Sequence, residues 1–214
     1  MSNVKFNPNC RQCPRLANFL DEVRSQHTDY CAAPVPAFGD PSPRLLIIGL
    51  APGMHGANRT GRPFTGDYAG ILLYQTLFDL GLASAPTSVD LNDGLRLHGV
   101  RITNAVKCLP PQNKPETREI KQCNPFLKAE IDALPANCNL LALGKIAHDA
   151  TLRAYGLKLS SRPFAHAASH TLPGNRTLFD SYHCSRYNTQ TRRLTTAMFQ
   201  NIVEKASHTK SLSS

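Results

Sequence analysis

The sequence predicts an α/β fold in which a mostly parallel sheet is covered by helices on both faces. Short apolar runs typical of buried strands alternate along the chain with longer segments whose apolar residues recur at helical spacing. Parallel strands need helical crossovers, and these crossovers cover both faces of the sheet. The chain has 214 residues, of which 41% are hydrophobic and 18% charged, a size and balance typical of one globular domain. We therefore expect a single domain over residues 1–214.

Four strands are predicted. Three are short apolar runs, and in the remaining one, the second along the chain, apolar residues alternate with others. They span residues 45–50, 100–106, 140–143 and 177–182. In a parallel sheet, ligands bind just outside the carboxyl ends of the strands. The features found at those ends are the Gly-rich loop 49–67, Asn104, Gly144 and His183. Because these ends lie together at one edge of the sheet, the sequence predicts a functional site there.

Between the strands, apolar residues three and four positions apart predict helices with one buried face. The predicted helices cover residues 69–82, 114–133, 145–155 and 191–205. Before the first strand, residues 1–43 hold a short helical pattern followed by a Pro-rich connector. At the other end, the Ser-rich residues 207–214 are expected to form a flexible tail.

The charge of the chain favours an anionic partner. Its formal value is +9, because 24 lysines and arginines outnumber 15 aspartates and glutamates. Nucleic acid is the first candidate, since each phosphate contact releases counterions; a basic protein without such a partner is the alternative. The longest apolar runs, residues 44–51 and 139–144, are too short to cross a bilayer, and the N-terminus lacks the apolar stretch of a signal peptide. We therefore expect a cytoplasmic protein without membrane association.

Seven cysteines are unusual for a cytoplasmic protein, where disulfides rarely persist. Cys10 and Cys13 form a Cys-x-x-Cys pair, and fourteen residues separate Cys108 from Cys123. Four thiolates suit an iron–sulfur cluster or a tetrahedral zinc ion. The stretched second pair favours the cluster over the two close pairs of a zinc site, and unrelated buried thiols are the remaining alternative.

Three motifs carry a resemblance to a known family. They are GLAPGMHGANRTGRPFTGD (residues 49–67), RITNAVKCLPP (residues 101–111) and SYHCSRYNTQTRRLT (residues 181–195). The first motif alone is a weak signal, since it lacks the glycine–lysine–serine or –threonine of a P-loop and the GxGxxG of dinucleotide sites. Together and in this order, the motifs resemble those of the family 5 uracil-DNA glycosylases. The four cysteines resemble the cluster ligands that this family shares with family 4.

The resemblance implies a three-layer α/β/α sandwich around a short, mostly parallel sheet. It also implies a monofunctional DNA-repair glycosylase that hydrolyses the N-glycosidic bond of uracil, and of other damaged bases such as hypoxanthine, and leaves an abasic site. The implied cofactor is a [4Fe–4S] cluster held by Cys10, Cys13, Cys108 and Cys123, so residues 1–43 become a cluster-binding segment. The implied partner is DNA that contains uracil or another deaminated base, and nothing requires more than a monomer.

The motifs also imply roles for individual residues. Phe64 matches the aromatic that stacks on the extruded base, and Asn104 matches the residue that reads the hydrogen-bonding edge of the base. His183 matches the histidine that faces the glycosidic bond, and Asp67 matches the acidic residue that helps water attack. The other positions of the base pocket are Gly49, Ala51, Gly53 and His55. The arginines expected to hold phosphates are Arg59, Arg62, Arg186, Arg192 and Arg193.

Each of these residues also has a plainer interpretation. Phe64 is of a type often found in cores, Asn104 follows a strand as turn residues do, and Asp67 precedes a predicted helix that it can cap. The chain departs from the family pattern at Gly53, Cys184 and Arg192, where alanine, proline and glycine are commoner. Two rival functions follow: a glycosylase aimed mainly at hypoxanthine, and a non-catalytic iron–sulfur protein that binds nucleic acid.

Overall fold

The computed structural model describes residues 4–208 and contains one six-stranded sheet. The strands follow the order β1-β3-β2-β4-β6-β5 across the sheet. The inner four strands are mutually parallel, and the two edge strands run antiparallel to their neighbours. The strands are β1 Phe38–Gly39, β2 Leu45–Gly49, β3 Val100–Asn104, β4 Asn139–Leu143, β5 Ser169–Thr171 and β6 Thr177–Ser181. The prediction of a mostly parallel sheet is confirmed.

The central strands are apolar because both of their faces are covered. Every residue of β2 and of β4 is buried, as expected for strands between two layers of helices. The four predicted strands lie where the sequence placed them, to within two residues at each end. The prediction missed β1 and β5, which have only two and three residues and therefore show no periodicity. Both close an edge of the sheet.

Helices pack on both faces, so the fold is a three-layer α/β/α sandwich. One apolar core joins one face of the sheet to α3 and α7, and a second joins the other face to α4 and α5. A third core packs α1 against α4 and the segment that follows β3. The helices are α1 Pro14–Gln26, α2 Ala57–Thr60, α3 Tyr68–Asp79, α4 Thr117–Asp132, α5 Lys145–Ala154, α6 Arg186–Gln190 and α7 Thr196–Ser207.

The predicted start of the last helix, at residue 191, is wrong. The segment instead forms the short α6, a loop, and then α7, which begins at Thr196. Arg192 lies in this loop with a left-handed φ of +56°, a conformation that does not continue a helix. The side chain of Thr195 then accepts a hydrogen bond from the Met198 amide at 3.2 Å and caps α7. Apolar periodicity alone did not reveal this interruption.

The two ends of the chain differ from the prediction in detail. Arg15 of α1 makes a bidentate ion pair with the buried Glu119 of α4, at 2.8 and 2.9 Å, which fixes the N-terminal segment to the domain. Ser207 was assigned to the flexible tail, but it is the buried last residue of α7. Residues 209–214 of that predicted tail lie outside the described residues. Among residues 4–208, no helix is both long and apolar enough to span a membrane.

Candidate active site

A pocket of about 570 Å³ opens at the carboxyl ends of β2, β3 and β6, where the sequence predicted a site. Residues from all three motifs line it. Those assigned to the site from the sequence are Ala51, Gly53, His55, Phe64, Asp67, Asn104, His183 and Arg186. Parallel strands bring their carboxyl ends to one edge of the sheet, so segments far apart in sequence converge there.

Gly49, assigned to the base pocket from the sequence, is not among the residues that line it but packs against two that are, Asn104 and Phe64. A Cβ atom at this position would lie 2.4 Å from Asn104 Oδ1 and 2.6 Å from the ring of Phe64. Both side chains therefore occupy the space that any larger residue would fill. Asn104 is 3% exposed, and its Oδ1 has no hydrogen-bond partner within residues 4–208. A buried acceptor without a partner is costly unless a ligand supplies a donor.

Phe64 is held beside Asn104 by a strained backbone. Its φ is +59°, in the left-handed region that non-glycine residues rarely adopt. The hydroxyl of Tyr74 donates to the carbonyl of Pro63 at 2.8 Å, and a Cβ at Gly70 would come within 1.7 Å of the Phe64 carbonyl oxygen. Strain of this kind persists where neighbours over-determine the conformation, commonly at functional sites. Sequence reasoning missed Gly70 and Tyr74, whose only signal was a glycine inside an apolar helix.

Asp67 occupies the N-cap of α3 and also faces the pocket. Its Oδ1 accepts a hydrogen bond from the Gly70 amide at 2.8 Å. Its Oδ2 points toward the Gly-rich loop, because a Cβ at Gly53 would lie 3.5 Å from it and one at Gly56 3.1 Å from it. Burial raises the pKa of this carboxyl, partly offset by hydrogen bonds from backbone amides. The capping role and the pocket-facing role predicted from the sequence therefore coexist, one on each oxygen.

His183 faces Phe64 across the pocket. The two rings are nearly parallel, with centroids 6.1 Å apart and an interplanar angle of 25°. The side-chain amide of Asn188, which the sequence did not single out, donates to the His183 carbonyl at 2.8 Å and fixes the backbone there. Burial lowers the pKa of His183 to about 4, because a desolvated imidazolium is unfavourable. The ring is therefore neutral at pH 7.

The predicted phosphate-binding arginines differ in their positions. Arg186 lines the pocket, and Arg59 and Arg192 are exposed. Arg193 is exposed too, with its guanidinium carbon 4.4 Å from the centroid of the Tyr182 ring. His55, also expected at the pocket, is exposed at its rim.

The assignment of Arg62 to phosphate binding is wrong. Its side chain is 3% exposed and pairs with Asp93 at 2.7 Å. It also donates to the carbonyl of Leu91 at 2.9 Å and to the hydroxyl of Ser88 at 3.0 Å. These contacts join the first motif to residues 88–93 and leave the guanidinium too buried to contact a phosphate.

Lys107, close to Asn104 in sequence, does not line the pocket. Its Nζ pairs with Glu130 of α4 at 2.8 Å and donates to the hydroxyl of Thr103. The ammonium group is thus held on the α4 side of the sheet. This position is unsuited to covalent attack on a sugar in the pocket.

Cys10, Cys13, Cys108 and Cys123 line a separate small cavity between α1, α4 and the segment after β3. Burial raises the pKa of Cys13 to about 11 and that of Cys108 to about 12, and the neighbouring sulfurs add to both shifts. The backbone amide of Lys107 donates to Cys123 Sγ at 3.3 Å.

An α/β/α sandwich with an aromatic, an amide, a carboxylate and a neutral imidazole around one pocket defines a class of base-handling hydrolases. The family model of the uracil DNA glycosylase superfamily matches residues 36–207, so the chain belongs to that superfamily. Within the superfamily, the chain belongs to the type-5 family, the one its motifs resemble, as the relatives below show.

The chain is 49% identical over 202 residues to a type-5 uracil-DNA glycosylase of Thermus thermophilus, covering 92% of each chain. It is 43% identical over 205 residues to one of Mycobacterium bovis, covering 92% of this chain and 76% of the relative. Similarity to a type-4 uracil-DNA glycosylase of Sulfurisphaera tokodaii is lower, 31% over 178 residues, covering 80% of this chain and 74% of that protein.

Proposed function

We propose that this protein is a monofunctional uracil-DNA glycosylase that hydrolyses the N-glycosidic bond of uracil in DNA and leaves an abasic site. The observation that carries the proposal is the convergence of Phe64, Asp67, Asn104 and His183 on one pocket. A base inside a duplex is out of reach, so the enzyme must extrude it at a cost of about a few kcal/mol. Stacking on Phe64, worth roughly 1–3 kcal/mol, offsets part of that cost.

Asn104 reads the extruded base. Its Oδ1, which has no partner within residues 4–208, accepts the N3–H of uracil, while its amide group donates to O4. Cytosine presents the reverse pattern at these positions. A base that does not fill both contacts leaves a buried polar group unpaired, which costs about 1–3 kcal/mol. Discrimination therefore rests on the buried amide more than on pocket size.

The reaction breaks the C1′–N bond, and the electron pair leaves with the base. Neutral His183 is positioned to donate an N–H to the base carbonyl on which negative charge develops, which stabilises the departing anion. Donation from a neutral ring requires no proton uptake at pH 7, consistent with the low pKa of this residue. The base is then protonated by solvent.

Asp67 acts on the other side of the bond. Its Oδ2, which is not the oxygen that caps α3, stabilises the cation-like sugar and orients the attacking water. The water oxygen forms a bond to C1′ and gives its proton to the carboxylate or to solvent. The stretch directly after β2, Leu50 to Pro52, carries no carboxylate or amide side chain, so Asp67 takes this role. Arg59, Arg186, Arg192 and Arg193 supply phosphate contacts around the pocket.

We further propose that hypoxanthine is a second substrate. The pocket of about 570 Å³ is open enough to admit a purine. The N1–H and O6 of hypoxanthine present the same donor and acceptor order to Asn104 as the N3–H and O4 of uracil. The relative rates on the two bases follow from how well each ring stacks on Phe64.

A [4Fe–4S] cluster on Cys10, Cys13, Cys108 and Cys123 completes the proposal. The cavity that all four cysteines line and the hydrogen bond that the Lys107 amide donates to Cys123 Sγ both suit such a cluster. When bound, it supplies a structural cross-link between the N-terminal segment and α4. The chemistry on the base belongs to the pocket residues.

The deciding experiment is an abasic-site assay on duplexes with a single uracil or a single hypoxanthine. Alkali-labile cleavage at the lesion by the wild type, lost in His183→Ala while duplex binding is kept, is the expected result. Release of neither base by a protein that binds DNA normally would favour the non-catalytic alternative. Iron and sulfide analysis of the purified protein tests the cluster, and Cys108→Ser should lose both elements.

A further inference from the structure

A second cluster of polar residues lies on the opposite side of β6 from the base pocket. His148 of α5, His170 of β5 and Asp180 of β6 meet there. Asp180 Oδ1 lies 2.7 Å from His148 Nδ1, and Asp180 Oδ2 lies 2.9 Å from His170 Nε2. His148 and Asp180 are fully buried, and none of the three residues lines the base pocket.

The two contacts of His148 need one more proton, or a metal ion in its place, than a neutral imidazole and an ionised carboxylate supply. His148 Nδ1 faces a carboxylate oxygen, and His148 Nε2 faces the carbonyl oxygen of Arg162 at 2.8 Å. Neither oxygen can donate, and a neutral imidazole carries only one N–H. One of the two contacts must therefore be filled either by a second proton or by a metal ion.

The charge of Asp180 leads to the same requirement. A fully buried carboxylate needs a positive partner. Within residues 4–208, the ion pairs of Asp180 involve only His148 and His170, and no lysine or arginine. Its two oxygens point at the two different rings, so one cation between all three residues would satisfy the whole set.

We propose that His148, His170 and Asp180 bind one divalent transition-metal ion of the zinc class. Two imidazoles and a carboxylate are a ligand set that zinc accepts, with a water in the fourth position. Metal-bound imidazoles usually donate their other N–H to a carbonyl or carboxylate, as His148 Nε2 can to the Arg162 carbonyl. Zinc–ligand bonds of about 2.0–2.1 Å place ligand atoms about 3.3 Å apart. The nitrogens of His148 and His170, now 2.7 and 2.9 Å from the Asp180 oxygens, would therefore move away from those oxygens by about 0.6 and 0.4 Å.

The position of His170 gives the ion access from solvent, and the three elements that carry its ligands suggest a structural effect. His170 lies on an edge strand between the exposed Ser169 and Thr171, and its side chain is 11% exposed, so solvent reaches the cluster there. The ligands come from α5, β5 and β6, so the ion ties the edge strand and a helix to the strand that leads to His183. Its expected effect is on stability, by binding the folded chain and not the unfolded one.

The test compares zinc binding by the wild type and His170→Gln, both purified with their motif cysteines intact. The two proteins are dialysed against zinc at micromolar concentration, and zinc per chain is measured by mass spectrometry. We expect one more zinc ion per chain in the wild type, and a Tm that rises with zinc only there. Because both proteins carry the same seven cysteines, zinc held by thiols cancels in the difference.

A second variant tests the same proposal independently if His170→Gln fails to fold. His148→Leu combined with Asp180→Ala removes the buried pair together, which leaves no unpaired charge; it should fold and also lack the additional zinc. Equal zinc in all three proteins would overturn the proposal. So would wild-type ¹⁵N spectra in which both His148 nitrogens carry protons and do not change with zinc, because the second proton would then be the cation.

Discussion

At the scale of single residues, the missing side chain of Gly49 leaves room for Asn104 and Phe64. A methyl group there would meet Asn104 Oδ1 at 2.4 Å and the Phe64 ring at 2.6 Å, both far inside contact distance. We expect Gly49→Ala to displace one or both side chains and to lower kcat/KM on uracil DNA by about a hundredfold, as small misplacements of substrate do. Steady-state kinetics with a uracil duplex measure the loss.

Gly53→Ala is the matched control for this prediction. Gly53 lies in the same loop, but a Cβ there would meet nothing closer than Asp67 Oδ2 at 3.5 Å, an ordinary contact. We expect kcat/KM within about threefold of the wild type, because no group has to move. Equal losses in the two variants would mean that the loop responds to any added methyl group and that Gly49 has no special place.

We expect the substitution Asp67→Asn to raise the stability of the protein and to lower its activity. Burial raises the pKa of its carboxyl, so the folded protein bears a cost for keeping it charged. Asn is an equally good N-cap, so Asp67→Asn removes the charge and retains the bond to the Gly70 amide. We expect a Tm increase of about 2–4 °C at pH 7 if the relief is about 1 kcal/mol, with kcat lowered about 10²–10⁴-fold.

Thermal unfolding at pH 7 and single-turnover kinetics check both halves of this prediction. The stabilisation should shrink as the pH falls, since protonation of Asp67 in the folded wild type removes the same charge. An Asn variant that is less stable than the wild type at pH 7, or fully active, would contradict the role assigned to Asp67.

His183 contributes to the loss of stability between about pH 6.5 and 4. Its pKa is about 4 in the folded protein and 6.5 ordinarily. Between these values the unfolded chain binds a proton that the folded chain does not, so this residue makes stability fall as the pH falls from about 6.5 to 4. His183→Gln should flatten that part of the profile. Denaturant titrations from pH 7 to pH 4.5 compare the two proteins.

The same low pKa makes a kinetic prediction. If His183 acts as the neutral donor proposed above, kcat/KM of the wild type should show no inflection near pH 6.5. A rate change near pH 6.5 that disappears in His183→Gln would mean that the ring titrates during catalysis and donates as a cation.

At the scale of elements, the loop between α6 and α7 carries strain at Arg192. This residue has a φ of +56°, where a side chain costs about 1–2 kcal/mol relative to glycine. We expect Arg192→Gly to stabilise the protein by about 1 kcal/mol and to weaken DNA binding by the loss of one phosphate contact. The logarithmic salt dependence of binding should become shallower by about 1. Chemical denaturation and binding at several salt concentrations measure the two effects.

Arg192→Ala separates the two contributions. It removes the same charge and leaves the left-handed backbone strained, so the salt dependence should change as in the glycine variant without the gain in stability. If both variants bind DNA with the wild-type salt dependence, the loop does not contact phosphates through Arg192.

At the scale of the whole molecule, an apolar core around Leu16 and Leu20 and the ion pair of Arg15 with the buried Glu119 hold the N-terminal segment to the domain. The proposed cluster would add a cross-link. Both contacts survive if the cluster is lost, so we expect Cys108→Ser to lower the Tm while α1 remains docked. Combining it with Arg15→Gln should loosen the segment, because the buried Glu119 would lose its cationic partner and keep only the hydrogen bond from the Glu116 amide. Faster hydrogen exchange across residues 14–26 would detect the loosening.

The architecture and the position of the site could be predicted from sequence because both depend on local patterns. Apolar runs and helical spacing mark the elements, and alternation of strands with helices implies parallel pairing. Parallel pairing in turn places Asn104, Asp67 and His183 at one edge of the sheet. The motifs then supplied the roles of these residues, which periodicity alone does not contain.

Other features were decided only by tertiary contacts. Arg62 looked like a phosphate ligand within its motif, yet it is buried against Asp93, thirty-one residues away. The left-handed backbone of Phe64 depends on Gly70 and Tyr74, and the cluster at His148 forms only when α5 packs over β6. Spacing along the chain reports which face a residue occupies, but not which distant segment covers that face. Burial, strain and partner charge therefore emerge only when the layers pack together.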